Sequence, residues 1–229
     1  MAALQSRLEW RYSSELATHR HAKTSVSLLR REMIDEESEL LFDAHTSREF
    51  SSSKKSGLSA AEKGLAHHAF LEMVALDKIL MPSGLHDEAK RLCAEQRLTR
   101  EEVACLNFEA LGAFWESDVG RAFLAHADCV RRELPFTARF NATELGAAFE
   151  GLTSEFVVVQ GVIDLAAVLP DEIWLLDFKT DAQGGTPEKV HQYRPQLELY
   201  ARAISRIYGK PVTRSWLHFL STHENVAVT

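Results

Sequence analysis

From residue 58 to 130 the apolar residues recur at intervals of three and four: Ala66, Phe70, Val74 and Leu80, then Val103, Leu106, Leu111 and Phe114. That spacing gathers them on one face of a helix, so this half is predicted to be helical, punctuated by glycines and Pro82. Val26, Leu28, Leu29, Leu40, Leu41 and Phe42, with Ser and Thr at the start, predict helix over residues 24–50 as well. The polar run SSSKKSG at 51–57 predicts a mobile loop, so residues 1–57 read as a helical extension and linker and 58–229 as the domain proper.

After Pro135 the pattern changes. Phe136 and Phe140, the run Phe156 to Leu165, and the run Ile173 to Phe178 are β-branched and aromatic stretches separated by turn signals, which predicts strands. LPDE at 169–172 predicts a hairpin turn between two of them. The loop DAQGGTPEK then leads into a helix with Leu197, Ala201, Ile204 and Tyr208 along one face. Pro195 is comfortable only in a first turn or at a kink, which predicts an effective helix start near Arg194. A last strand is predicted over 215–220, after Pro211. Helices, three strands, helix, strand: the fold class is mixed α/β, with no internal repeat.

Within that pattern, LLDFKTD at 175–181 sets Asp177 and Lys179 on one face of an apolar strand, with Leu176 and Phe178 on the other. Pairing about the LPDE turn brings Asp164, on the preceding strand, near Asp177. Without a cation, two such carboxylates push one pKa upward; a divalent ion holds both as anions, and hard oxygen ligands suit Mg²⁺ or Mn²⁺. A lone D-x-K is as well explained by a solvated surface pair. The strand GVID at 161–164, placed before its partner strand, sets this one apart.

Composition narrows the field. The chain has 229 residues, 45% of them hydrophobic, and a net charge of −7, so it does not coat nucleic acid by bulk electrostatics, and phosphate contacts must be local or come from a partner. No stretch has the length of a membrane span and the first thirty residues lack a secretory core, which predicts a cytoplasmic location without membrane association. Cys93, Cys105 and Cys129 fit neither a zinc pair nor a disulfide framework, and read as small buried hydrophobes. No phosphate-binding loop of the G-x-x-x-x-G-K-[ST] type is present, so the chain carries no motor of its own.

The order GVID, a short hairpin, LLDFKTD, a loop, and then Tyr193, Gln196, Leu197 and Tyr200 in a Y-x-x-Q-L-x-x-Y array resembles the PD-(D/E)xK nuclease superfamily. More narrowly, it resembles the nuclease domain that ends the AddA and RecB helicase-nucleases. KGLAHHAFLE at 63–72 is similar to that family's helical G-T-x-x-H-x-x-L-E motif, with Leu65 in place of Thr. RELPF at 132–136 is similar to the R-E-x-P-F that opens the first strand, and the segment from Trp10 to Glu32 is similar to the lead-in to the AddA nuclease.

The resemblance implies a restriction-endonuclease-like core of the order αβββαβ with an added helical N-terminal half, and 58–229 as the nuclease domain. It implies Mg²⁺ or Mn²⁺ held by Asp164, Asp177, the carbonyl of Phe178 and a histidine. His67 and His68 both compete for that last place; counting four from Gly64 selects His68. Lys179 would position the attacking water and offset charge on the phosphate, leaving a 5′-phosphate and a 3′-hydroxyl. Gln196 and Tyr200, four apart on one helix face, would orient Lys179 or the DNA backbone, although Tyr200 is equally explained as packing. Glu133 either sits at the site's edge or pairs with Arg131 or Arg132, and Asp181 reads as a turn former. The cysteines do not match the iron–sulfur cluster of some relatives, so none is expected. Single-stranded DNA is the implied substrate, delivered by a helicase domain or subunit, with exonuclease action favoured over endonuclease action. A catalytically silent DNA-binding scaffold and a free-standing restriction-like endonuclease are the alternatives.

Overall fold

The structure is a computed structural model and describes residues 22–26, 28–29, 58–145, 155–181 and 184–228. These fall into two compact units, one within Met1–Phe42 and Thr137–Gly161, the other within Asp43–Phe136 and Val162–Thr229.

Among the described residues of the larger unit, five helices come before its first strand: α1 (Ala60–Met73), α2 (Gly84–Ala94), α3 (Arg100–Cys105), α4 (Phe108–Glu116) and α5 (Asp118–Ala125). Their starts are written locally. Ser59 Oγ accepts the Glu62 N–H at 3.3 Å while the Ser59 N–H donates to Glu62 Oε2 at 2.7 Å, a reciprocal cap that Thr99 and Glu102 repeat on α3. Asn107 caps α4 and Ser117 caps α5 in the simpler one-bond form. Phe70, Leu111 and Phe114, predicted by the helical spacing, lie with Phe123 in one core with Leu165, Leu176 and Phe178 from the strands.

Strand β2 (Val130–Asn141) and strand β3 (Phe156–Val168) each pair with the other and run through the boundary between the units. Strand β4 (Ile173–Lys179) pairs antiparallel with β3, Leu165 opposite Leu176 and Val168 opposite Ile173, and the Leu169 N–H closes the predicted turn on the Glu172 carbonyl at 2.9 Å. Helix α6 (Pro187–Tyr208) then crosses to strand β5 (Val212–Phe219), parallel to β4, and strand β6 (Glu224–Ala227) returns antiparallel to β5. Taken as α1, β2, β3, β4, α6, β5, this is the expected αβββαβ order, with α2 to α5 inserted after the first helix and β6 appended.

Three local expectations are corrected. Lys23–Ser25 form a short strand, β1, parallel to β3 in the smaller unit, so Thr24 and Ser25 are not helical; Thr24 is buried against its neighbours and a β-branched residue suits that place. Most of the predicted helix over 24–50, and the loop over 51–57, lie outside the described residues. Helix α6 begins at Pro187 rather than near Arg194, because Thr186 accepts the Lys189 N–H and Pro187 is preorganised for a first turn. Pro195 is carried inside the helix, which forgoes one backbone donor there. The three cysteines are free and half-buried rather than fully buried.

Candidate active site

The register of the β3–β4 hairpin decides the first question. Leu165 faces Leu176, so one step further along the two strands Asp164 comes opposite Asp177. Directly opposed residues of an antiparallel pair share a face, and both carboxylates therefore point to the same side of the sheet. Asp164 Oδ2 accepts the Phe178 N–H at 2.7 Å, which fixes its rotamer and leaves Oδ1 free to face helix α1.

From that helix comes His68, whose Nδ1 lies 3.5 Å from Asp164 Oδ1 and 3.6 Å from Glu133 Oε1. One ligand atom each from His68, Glu133 and Asp164 falls within 4.8 Å of the others. Burial disfavours the charged imidazole, but the Asp164 and Glu133 carboxylates outweigh it and raise the His68 pKa to about 10. The imidazolium thus answers the two carboxylates. Gly64, four residues before His68, lets α1 approach the end of β4, since a Cβ there would stand 3.1 Å from Thr180 Oγ1.

His67 does something else. Its Nδ1 lies 2.7 Å from the Lys63 carbonyl and its Nε2 accepts the Asn107 N–H at 3.0 Å, which requires the neutral tautomer protonated on Nδ1 and occupies both nitrogens. Burial lowers its pKa, in keeping with that form. Of the two histidines, His68 is the one the fold brings to the carboxylates.

On the other side of Asp164 stands a second group. Asp177 is 2% exposed, and its Oδ2 lies 2.5 Å from Lys179 Nζ. Gln196 on α6 spans the pair, its Nε2 donating to Asp177 Oδ1 at 3.2 Å and its Oε1 accepting from Lys179 Nζ at 3.4 Å. The same Nε2 lies 2.8 Å from the Tyr200 hydroxyl. Burial pushes the Asp177 carboxyl up, Lys179 opposes it, and the balance stands at about 6. Burial also moves the Tyr200 hydroxyl pKa upward, reinforced by Asp177, so it stays neutral and accepts the Gln196 Nε2–H. Tyr200 additionally packs edge-on to Phe136 with centroids 5.6 Å apart, so the packing explanation and the polar one hold together. Phe178 is buried, and its ring meets that of His68 edge-on at 6.4 Å.

Glu133, which the sequence leaves undecided, stands with His68 and Asp164. It pairs with neither neighbouring arginine: Arg131 donates to the carbonyls of Asp128 and Val130, and Arg132 to those of Leu71 and Val74. Its φ of 45° is left-handed, an unfavourable conformation for glutamate in a strand. Asp181 is more than a turn former, since its carboxylate accepts the Tyr193 hydroxyl at 2.6 Å and pairs with Lys189 Nζ at 3.3 Å.

Comparison with known proteins gives this geometry a family. Residues 37–227 match the PD-(D/E)XK nuclease superfamily. The chain belongs to that superfamily. It is also similar to two proteins whose names describe each as the A component of an ATP-dependent helicase/nuclease. The one from Thermoanaerobacter sp. (strain X514) is 32% identical over 94% of this chain and 18% of its own length. The one from Bacillus mycoides (strain KBAB4) is 34% identical over 97% of this chain and 19% of its own. The chain thus spans less than a fifth of the length of these relatives. The donor set of His68, Glu133 and Asp164, two carboxylates and an imidazole, is of the hard oxygen and nitrogen type that fits Mg²⁺ or Mn²⁺.

Proposed function

We propose that this PD-(D/E)XK nuclease domain hydrolyses phosphodiester bonds of single-stranded DNA with a divalent metal ion, as an exonuclease fed by a helicase domain or subunit, in the cytoplasm. The observation that carries the reading is the convergence of His68, Glu133 and Asp164 beside the buried Asp177–Lys179 pair. Asp164, Asp177, His68 and the Phe178 carbonyl would hold Mg²⁺ or Mn²⁺, with Glu133 at the edge of the set. When bound, the ion polarises the scissile phosphate and acidifies a coordinated water.

The protein's own groups do the rest. Asp177 and Gln196 hold the Lys179 ammonium at the site, where it orients the attacking water and offsets the charge developing on the phosphoryl oxygens. Gln196 couples that lysine to Tyr200, and the strand Asp164 shares with the hairpin fixes its carboxylate against the Phe178 amide. A helicase partner agrees with the names of the similar proteins and with a net charge of −7, which leaves the delivery of a polyanion to another part of the assembly. Among the described residues no helix is long and apolar enough to cross a membrane.

The test is degradation of end-labelled single-stranded DNA by the purified chain. Activity with Mg²⁺ or Mn²⁺ that disappears in EDTA and returns with the ion is expected. Undiminished cleavage in EDTA, or none with either ion, would overturn the proposal.

A further inference from the structure

Lys179 has a third neighbour besides Asp177 and Gln196. Its Nζ lies 4.3 Å from the centre of the Tyr193 ring, against the face where the π-electron density attracts a cation. Tyr193 is 9% exposed and is itself held: its hydroxyl donates to Asp181 Oδ2 at 2.6 Å, and Asp181 is paired with Lys189 Nζ at 3.3 Å. The residues come from two places, Lys179 and Asp181 from the end of β4 and its following turn, Tyr193 and Lys189 from the first turns of α6. The chain Lys189–Asp181–Tyr193 therefore braces an aromatic ring beneath the ammonium of the family's lysine.

We propose that Tyr193, anchored by Asp181, is a positioning residue for Lys179, and this rests on the nuclease reading of the site. An ammonium has three N–H donors. Asp177 and Gln196 take two of them, and the ring face attracts the cation without supplying an oxygen or nitrogen acceptor. The third donor is thereby kept for water or phosphate, while the ring covers one side of the ammonium and keeps the lysine from swinging out toward solvent. A lysine without that floor would retain its charge and its Asp177 partner but spend part of its time in unproductive rotamers.

The consequence is a loss in turnover rather than in DNA affinity, because Tyr193 is buried against the lysine and acts through it. With single-stranded DNA and saturating Mg²⁺, Tyr193→Leu is expected to lower kcat by about tenfold with KM within about twofold of wild type. Tyr193→Phe keeps the ring and is expected to restore most of that loss. Asp181→Ala, at a partly exposed position, frees the ring's anchor without emptying the core and should lower kcat by about threefold; it carries the test if Tyr193→Leu does not fold. A kcat unchanged in Asp181→Ala and Tyr193→Leu, or a Tyr193→Phe protein as slow as the leucine variant, would overturn the role of the ring. Lys179→Ala is run alongside: if it cleaves as fast as wild type, the nuclease role of the lysine itself fails, and this proposal with it. If only Lys179→Ala is inactive and the Tyr193 and Asp181 variants are normal, the site stands and the ring's role alone is lost.

Discussion

His67 and His68 are adjacent in sequence, yet the helix sends them to opposite duties. His67 satisfies two backbone groups, and His68 faces two carboxylates. Spacing from Gly64 points to His68, but only the partners of His67 show why it is withheld from the site. The expected outcome for His68→Ala is Mn²⁺ binding weakened at least about tenfold, measured by titration calorimetry. His67→Ala should leave Mn²⁺ affinity alone and reduce stability by about 2 kcal/mol, because a buried imidazole is emptied from the helix and its hydrogen bond to the Asn107 N–H is lost. The same scale shows what was hidden. Asp164, Asp177 and Lys179 are legible because strands alternate and a hairpin opposes its ends. Glu133 is not, because its placement depends on a left-handed φ that no residue-type rule assigns to glutamate in a strand.

Elements with strong local signals were readable, and short ones were not. The helical half is legible from its three-and-four spacing, and the β3–β4 hairpin from its turn. Strands β1 and β6, of three and four residues, carry too few positions to show alternation. Helix α6 misleads through Pro195, and only its true start at Pro187 puts Tyr193 one turn before Gln196 on the face toward Lys179. One inter-element clasp lies outside any functional motif: Glu88 on α2, 2% exposed, accepts from Arg91, from Lys78 Nζ at 3.3 Å and from the Ala75 N–H at 3.0 Å, tying the 74–83 connection to the helix. The Arg91 guanidinium, foremost, holds its carboxyl down at about 2, against an ordinary value of 4.5. A carboxylate depressed in the folded state stabilises it fully above the unfolded pKa and ceases to do so as pH falls through the folded one. Glu88→Gln should therefore cost about 3 kcal/mol at neutral pH. In urea titrations, the gap between variant and wild type should close as pH drops from 4.5 toward 2. A gap independent of pH would contradict the assigned ion pair.

At the scale of the whole molecule, the fold gathers a histidine from the first helix, a glutamate and an aspartate from successive strands, and an aspartate–lysine pair from the next strand around one face of a hairpin. The superfamily and the core order were legible because five weak motifs stand in the order that the topology requires. The partition into units was not, because β2 and β3 each run through the boundary and nothing in their sequence marks it. The most direct test of the central assignment is the rate at which Asp164→Asn protein degrades single-stranded DNA in Mg²⁺, beside wild type at equal folded concentration. A fall of more than about a hundredfold is expected, since this carboxylate stands against both His68 and the Phe178 amide. Cleavage at the wild-type rate would contradict the account.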